Sequence, residues 1–197
     1  MTLAKAASSA AALAPAIPPP MIRMSASDCL TSAAGMITAG RRARSRGRRR
    51  VAIHAEDEAR LRERLPLVTN GADPSMHPVW RDAETALRAT KRIVAIARKY
   101  GRRIHVLHVS TADEVPVLAA HKDVATMECL THHLTFAAPE CYERLGTFAQ
   151  MNPPVRDARH REALWQAVRD GVVDCIGSDH APHTKEEKAK PYPQSPS

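Results

Sequence analysis

The sequence predicts an α/β protein built on a parallel sheet, and three observations support this fold class. From residue 50 onward, short apolar runs alternate with segments whose apolar residues recur at helical spacing. Strands separated by helices in this way form parallel sheets with right-handed crossovers. Finally, titratable side chains stand at the ends of the apolar runs, which is where parallel α/β proteins place their functional sites.

Four apolar runs are predicted to be strands. They are short, rich in valine and isoleucine, and bounded by charged or turn-forming residues. They cover residues 51–54, 103–110, 124–136 and 172–178. Cys129 and Cys175 lie in the last two runs and are expected to be small buried thiols. No CxxC spacing occurs, so the sequence indicates neither a disulfide framework nor a redox motif and favours a reducing cytoplasm.

The segments between these runs are predicted to be helices. The longest, residues 79–100, places its apolar side chains on one face and is followed by Gly101, a typical helix stop. Asp157 is a predicted N-cap for the last helix. Residues 65–77 are rich in proline and glycine and are expected to form a loop. The predicted helices cover residues 56–65, 79–100, 112–122, 141–146 and 158–170.

The first fifty residues differ from the rest in composition. They are rich in alanine, serine, proline and arginine and show no sustained helical or strand period. A secretory signal and a transit peptide are two interpretations of such a segment. A third, which we favour, is a mis-assigned start or an out-of-frame translation, because the composition changes abruptly near residues 47–50. We therefore expect residues 1–47 to be a disordered leader and residues 48–197 to be the folded domain.

The charge distribution argues against a nucleic-acid-binding protein. The formal net charge is +8, and nine basic residues against the single acid Asp28 place all of that excess within residues 1–50. The remaining residues carry twenty basic and twenty acidic side chains, so the predicted folded domain is neutral. No apolar run approaches the roughly 18 residues of a membrane span. We expect neither a nucleic-acid nor a membrane partner.

The side chains at the predicted strand ends have the composition of a metal site. His54 ends the first run, His108 lies in the second, the pair His132 and His133 in the third, and Asp179 follows the fourth. Imidazole and carboxylate groups suit Zn²⁺ or a similar divalent ion. Such an ion lowers the pKa of bound water from 15.7 to roughly 7, and a neighbouring carboxylate can move a proton.

The other histidines carry a weaker signal. His105 comes before His108 in the same predicted strand and so lies deeper than the strand end. We therefore expect a structural role for it. His77 and His121 lie in loop or helix contexts without a functional signal. His160 lies on a predicted helix and is expected to be solvated.

Five motifs, in order, resemble those of the dihydroorotases of the amidohydrolase superfamily. They are HAEDE, HVLHVST, ECLTHHLTF, MNPPVR and GSDHAPHTKEEK, and they cover about residues 48–197. The pair NPPVR and DHAPHT favours dihydroorotase over allantoinase and hydantoinase. The resemblance implies a partial TIM-like (β/α)₈ barrel comprising about strands 5–8, with one or two Zn²⁺ ions in a complete site.

The resemblance also implies a role for each matching residue. His54, His108 and Asp179 resemble metal ligands, and Asp179 also resembles the general acid and base. Asn152 and His183 resemble residues that contact the substrate. His132 and His133 would lie on the seventh strand, which carries no metal ligand in this family, and so have packing or supporting roles. The implied reaction is the reversible hydrolysis of dihydroorotate to N-carbamoyl-aspartate in cytoplasmic pyrimidine biosynthesis, by an enzyme that is a possible homo-oligomer.

The sequence departs from the family pattern before His54. The metal-binding HxH pair of the first strand is absent, and so is the lysine or aspartate of the fourth. We therefore expect a fragment that is inactive alone. Two alternatives remain open: another cyclic amidohydrolase, of allantoinase or hydantoinase type, and a non-catalytic remnant or scaffold.

Overall fold

A computed structural model of the chain describes residues 49–69 and 71–197. The predicted leader, residues 1–47, and its expected disorder lie outside the described residues. The described part alternates strands and helices, as predicted. The strands are β1 Val51–Ile53, β2 Ile104–Val106, β3 Ala125–Leu130 and β4 Cys175–Gly177. The α-helices are α1 Glu58–Arg64, α2 His77–Trp80, α3 Ala83–Tyr100, α4 Glu114–Ala119, α5 Thr131–Thr135, α6 Glu140–Leu145, α7 Ala158–Arg169 and α8 Lys185–Lys188, and three 3₁₀ helices cover Leu65–Leu67, Pro74–Met76 and Gly146–Ala149.

The four strands form one parallel sheet in the order β1-β2-β3-β4. Ile104 of β2 is in register with Val51 on one side and with Ala125 on the other. Glu128 of β3 is in register with Cys175 of β4. Because the strands are parallel and sequential, all four carboxyl ends lie along the same edge of the sheet. That edge is where the predicted site residues follow the strands.

The two faces of the sheet differ in chemistry. One face packs against the helices and is apolar: Val106 and Met127 have no exposed surface and share a core with Val94, Leu118 and Leu164. Each apolar side chain of this size that is removed from water contributes about 1.5–3 kcal/mol. The opposite face alternates with the first along each strand and carries polar groups. It includes the side chains of His105, Thr126, Glu128 and Cys175.

Aspartate side chains cap the N-termini of three of the α-helices. Asp57 accepts a hydrogen bond from Arg60 N at the start of α1, and Asp157 accepts one from Arg159 N at the start of α7, which confirms the predicted cap. Asp82 does the same for α3 through Thr85 N. Gly101 ends α3 with a left-handed conformation, as predicted for a glycine stop.

Several sequence predictions of local structure are wrong. The strand predicted over 124–136 ends at Leu130, because His133 and Leu134 turn inward on the short helix α5. The helix predicted from 79 is interrupted before Asp82, which caps a new helix. The predicted loop over 65–77 contains short 3₁₀ helices, and α8 was not predicted.

Two predictions of burial are also wrong. His160 is buried, because it packs against the turn before α4. Its Nδ1 atom accepts a hydrogen bond from Ala112 N in that turn at 2.9 Å. Cys175 is exposed, because it belongs to β4, which pairs only with β3 within the described residues. No helix in the described part of the chain combines the length and the apolar character that a membrane crossing requires.

Candidate metal-binding active site

The predicted metal ligands all follow strands at the carboxyl edge of the sheet. His54 comes directly after β1, His108 two residues after β2, and Asp179 two residues after β4. The parallel register brings the first two side chains together: His54 Nδ1 lies 3.0 Å from His108 Nε2. Two of the three predicted ligands therefore meet directly.

Glu56 fixes the orientation of the His54 ring. The Nε2–H group of His54 donates to Glu56 Oε2 at 2.8 Å. In the neutral ring this leaves the Nδ1 lone pair directed toward His108. A carboxylate that holds the outer nitrogen of a histidine is a recurrent support for metal ligands, because it selects the tautomer and raises the basicity of the inner nitrogen. Glu56 was not among the predicted site residues, although its position two residues after His54 was a usable signal.

Arg81 holds Glu56 in its charged form. The Arg81 guanidinium donates to both carboxylate oxygens of Glu56, the shortest contact being 2.5 Å. Burial alone would raise the pKa of Glu56, but hydrogen bonds from His54 and Arg81 outweigh it and lower that pKa to about 2. The Glu56 carboxylate is thus negative at neutral pH although its side chain is only 1% exposed.

His108 is kept neutral by its surroundings. Burial lowers the pKa of His108, and the proximity of His54 lowers it further, whereas the negative charge of Asp179 acts in the opposite direction. Its Nδ1 atom is buried and has no hydrogen-bond partner among the described residues. A neutral imidazole is the form that binds metal ions.

His108 and Asp179 share an unusual backbone conformation. Their φ angles are +38° and +45°, and within the described residues they are the two non-glycine positions with positive φ. Residues held in the left-handed region cost about 1–3 kcal/mol and cluster at functional sites. The chain therefore adopts a strained conformation at two of the three predicted ligands.

A cavity of about 300 Å³ lies beside Asp179. Asn152, His183 and Asp179 all line it, so the predicted substrate-contacting residues and the predicted catalytic residue share one space. His132 also lines this cavity. His54 lies instead on a separate shallow groove with Arg92. The structure thus places the predicted residues in two groups, the histidine pair and the residues that line the Asp179 cavity. It does not bring the Asp179 carboxylate within 4.8 Å of both histidine nitrogens.

His77 orients Asn152 and was not predicted to have a role. Its Nε2–H group donates to Asn152 Oδ1 at 3.1 Å and to the Met151 carbonyl at 3.0 Å, while Tyr192 Oη lies 3.3 Å from Nδ1. Burial, chiefly, lowers the pKa of His77 to about 4, so the ring is neutral. With Oδ1 occupied, the amide NH₂ of Asn152 remains as a donor.

The remaining histidine of the THHL motif has a packing role, as expected. His133 is buried, its Nε2–H group donates to the Pro153 carbonyl at 3.0 Å, and burial lowers its pKa to about 3. This contact ties α5 to the segment that carries Asn152.

The histidine pair fits a divalent metal ion. Zinc bound by two imidazoles at about 2.0–2.1 Å in tetrahedral geometry separates the two nitrogens by about 3.3 Å, and the nitrogens here lie 3.0 Å apart. Two imidazole nitrogens with a supporting carboxylate on Glu56 are ligands typical of zinc sites. A small opening of the pair would admit an ion.

Comparison with known sequences agrees with this geometry. A dihydroorotase from Halobacterium salinarum is 37% identical over 147 residues, which cover 75% of this chain and 33% of that protein. A dihydroorotase from Methanosarcina mazei is 33% identical over 154 residues, covering 74% of this chain and 34% of that protein. The chain belongs to the dihydroorotase-type amidohydrolases. An allantoinase from Streptomyces avermitilis is also similar, at 36% identity over 115 residues, 57% of this chain and 25% of that protein. No protein-family model matches the chain.

Solved amidohydrolase structures share the fold. An L-hydantoinase (dihydropyrimidinase) from Arthrobacter aurescens superimposes with a TM-score of 0.66 at 27% identity, over 70% of this chain and 31% of that one. A D-hydantoinase from Bacillus sp. AR9 gives a TM-score of 0.67 at 26% identity, over 74% of this chain and 34% of that one. The fold is a partial TIM-like (β/α)₈ barrel, as the resemblance implied. This dihydroorotase-type chain spans about one third of the length of the curated relatives that it matches.

Proposed function

We propose that this chain carries part of the active site of a metal-dependent cyclic amide hydrolase of the dihydroorotase type, with dihydroorotate and N-carbamoyl-aspartate as substrate and product. The observation that carries the proposal is the convergence of His54 and His108, with Glu56 holding the His54 ring, at the carboxyl edge of the sheet where Asp179 also lies. In this proposal His54, His108 and Asp179 hold Zn²⁺. When bound, the ion would polarise the scissile carbonyl and lower the pKa of water.

Asp179 is proposed to move the proton. Its carboxylate is exposed to the cavity that Asn152 and His183 also line. In hydrolysis it would accept the proton of the attacking water and return it to the ring nitrogen that leaves. In the reverse direction the same carboxylate would accept the proton of the attacking nitrogen and give it to the hydroxyl group that leaves as water, so one group serves both directions.

Asn152 and His183 are proposed to bind the substrate. The Asn152 amide is fixed by His77 with its NH₂ group left to donate, which suits a carbonyl or carboxylate oxygen. His183 Nδ1 lies 3.6 Å from Glu187 Oε2 at the start of α8. Glu187 therefore limits the movement of the ring at the mouth of the cavity.

The choice of dihydroorotate over related cyclic amides is part of the proposal. Its support is that dihydroorotases recur among the similar sequences, at 33–37% identity over about three quarters of the chain. Hydantoin and allantoin are the alternative substrates, because the hydantoinase structures and the Streptomyces allantoinase are also similar. A cytoplasmic location belongs to the proposal too, supported by the free thiols of Cys129, Cys141 and Cys175.

The test uses a chimera with residues 49–197 in place of the matching segment of the Halobacterium dihydroorotase. We expect this protein to hydrolyse dihydroorotate faster than hydantoin or allantoin. Asp179→Asn in the chimera should lower the rate about 10²–10⁴-fold in both directions, because the substitution removes the proton acceptor. His183→Asn should act mainly on KM.

Asp123→Asn is the matched control, because Asp123 is an exposed aspartate outside the cavity. It should leave both directions of the reaction unchanged. Asp179→Asn with more than a tenth of the activity and a normal zinc content would show that another group moves the proton. Faster turnover of hydantoin or allantoin would overturn the choice of substrate.

A further inference from the structure

A second cluster of potential metal ligands lies on the polar face of the sheet, away from the carboxyl edge. His105 of β2, Glu128 of β3 and Cys175 of β4 each offer one ligand atom, and these atoms lie within 4.8 Å of one another. None of the three belongs to the proposed set of His54, His108 and Asp179. The strand register explains the cluster, because Glu128 pairs with Cys175 and His105 pairs with the neighbouring Thr126.

The separations between the ligand atoms are close to those of a tetrahedral zinc site. His105 Nε2 lies 3.8 Å from Cys175 Sγ and 3.5 Å from Glu128 Oε2, and that oxygen lies 3.9 Å from Sγ. Zinc bonds of about 2.3 Å to sulfur and 2.0–2.1 Å to nitrogen or oxygen would set these separations at about 3.6, 3.4 and 3.6 Å in ideal geometry. The three atoms therefore form a triangle a few tenths of an ångström larger than a zinc site requires.

The groups around the cluster orient its members. His105 Nδ1 lies 2.9 Å from Thr126 Oγ1, which leaves Nε2 directed at the cluster and supplies the outer hydrogen bond typical of a metal-bound histidine. Gly177 makes room for Glu128, since a Cβ atom there would lie 2.5 Å from Glu128 Cδ and within 3 Å of both carboxylate oxygens. The arrangement thus depends on a threonine and a glycine as well as on the three ligands.

We propose that His105, Glu128 and Cys175 form a binding site for a zinc-like divalent ion that prefers sulfur and nitrogen ligands, distinct from the His54–His108 site. On binding, the Cys175 thiol and the His105 Nε2–H group each lose a proton to solvent as the sulfur–metal and nitrogen–metal bonds form. A fourth position remains for water, because the cluster supplies three ligands.

The electrostatics of the cluster favour a cation. Hydrogen bonds that His105 donates to Cys175 first and Glu128 second raise the pKa of His105 to about 9, against the opposing effect of burial. The same groups that stabilise a proton on Nε2 would stabilise a metal ion in its place. Ion binding therefore displaces protons, and its affinity should weaken as the pH falls.

The experiment is a titration of the purified full chain with Co²⁺, followed by competition with Zn²⁺. We expect a thiolate-to-cobalt charge-transfer band that Zn²⁺ abolishes. The band should disappear in Cys175→Ser and weaken in His105→Ala. It should remain in Cys141→Ser, which removes a buried thiol outside the cluster, and in His54→Ala, which affects only the other site.

Gly177→Ala provides a test that keeps all three ligands. The added methyl group displaces the Glu128 carboxylate, so we expect Zn²⁺ affinity at Cys175 to fall at least tenfold. In the unaltered chain, Zn²⁺ should slow the alkylation of Cys175 by iodoacetamide at least tenfold, as measured by peptide mass spectrometry. This measurement needs no variant, so it gives a result even if a variant fails to fold. A chain with native circular dichroism but no charge-transfer band and no protection of Cys175 would overturn the proposal, as would a band that survives Cys175→Ser.

Discussion

At the scale of single residues, the support behind a ligand matters as much as the ligand. His54 and His108 point their nitrogens at each other because Glu56 fixes one ring and burial keeps the other neutral. Arg81 in turn keeps Glu56 negative although the Glu56 side chain is buried. The orientation of the histidine pair thus depends on Glu56 and, through Glu56, on Arg81 in the loop before α3.

Glu56→Gln should weaken metal binding at the histidine pair about 10–100-fold, because a neutral amide no longer raises the basicity of His54. The measurement is a Co²⁺ or Zn²⁺ titration in a Cys175→Ser background, so that thiol binding does not contribute. Glu58→Gln is the control, since Glu58 is exposed and its ion pair among the described residues is with Arg62 on the same helix. Unchanged affinity in Glu56→Gln would remove Glu56 from the site.

At the scale of elements, the loop before α3 connects the helix layer to the site. Asp82 accepts hydrogen bonds from Thr85 N at 2.9 Å, from Thr85 Oγ1 at 2.7 Å and from Arg60 Nε at 2.9 Å. Burial would raise the pKa of Asp82, but the bonds from Arg60 and Thr85 lower it to about 2. Arg81, which holds Glu56, is its immediate neighbour.

Asp82→Ala should lower the free energy of unfolding by about 0.5–2 kcal/mol through loss of the cap, and Asp82→Asn, which can still cap, should cost less. The folded pKa lies below the ordinary value, so the stabilisation is present above pH 4 and is lost as the pH falls toward 2. Urea unfolding of the wild type and both variants at pH 3 and pH 7 measures this. Equal losses for Asp82→Ala at the two pH values would contradict it.

The sequence predicts the order and type of the main elements, because apolar periodicity and aspartate caps are local signals. It does not predict that the third strand ends at Leu130, since the inward turn of His133 depends on the Pro153 carbonyl, 20 residues away. The ligand candidates were identified from strand ends and resemblance. Arg81 and His77 were missed because their contacts form between segments that are distant in the chain. Glu56 was missed although it lies two residues after His54 in the HAEDE motif.

At the scale of the whole molecule, the described residues form an open four-stranded sheet, with the proposed ligands His54, His108 and Asp179 at its carboxyl edge. We expect the chain alone to show no measurable hydrolysis of dihydroorotate. The family resemblance implies further metal ligands, an HxH pair and a lysine in the sequence context of the fourth strand, and the 197 residues of the chain contain neither. Purified chain with added Zn²⁺ measures this, with the chimera as the active control. Turnover within tenfold of typical enzymes, whose kcat is about 1–10³ s⁻¹, would show that these ligands suffice.

The left-handed backbone conformation of Asp179 should lower the stability of the fold at a residue proposed to be needed for activity. Asp179 is exposed, so its removal leaves no cavity, and glycine adopts a φ of +45° without the steric cost that aspartate bears. Relief of that strain should exceed the extra freedom that glycine gives the unfolded chain, so Asp179→Gly should stabilise the protein by up to about 1 kcal/mol. Thermal unfolding of the variant measures the gain, and a loss of stability would show that the strain is relieved in some other way. A measured gain would mean that the chain keeps aspartate at this position at a cost in stability, as we expect of the proposed ligand and proton carrier.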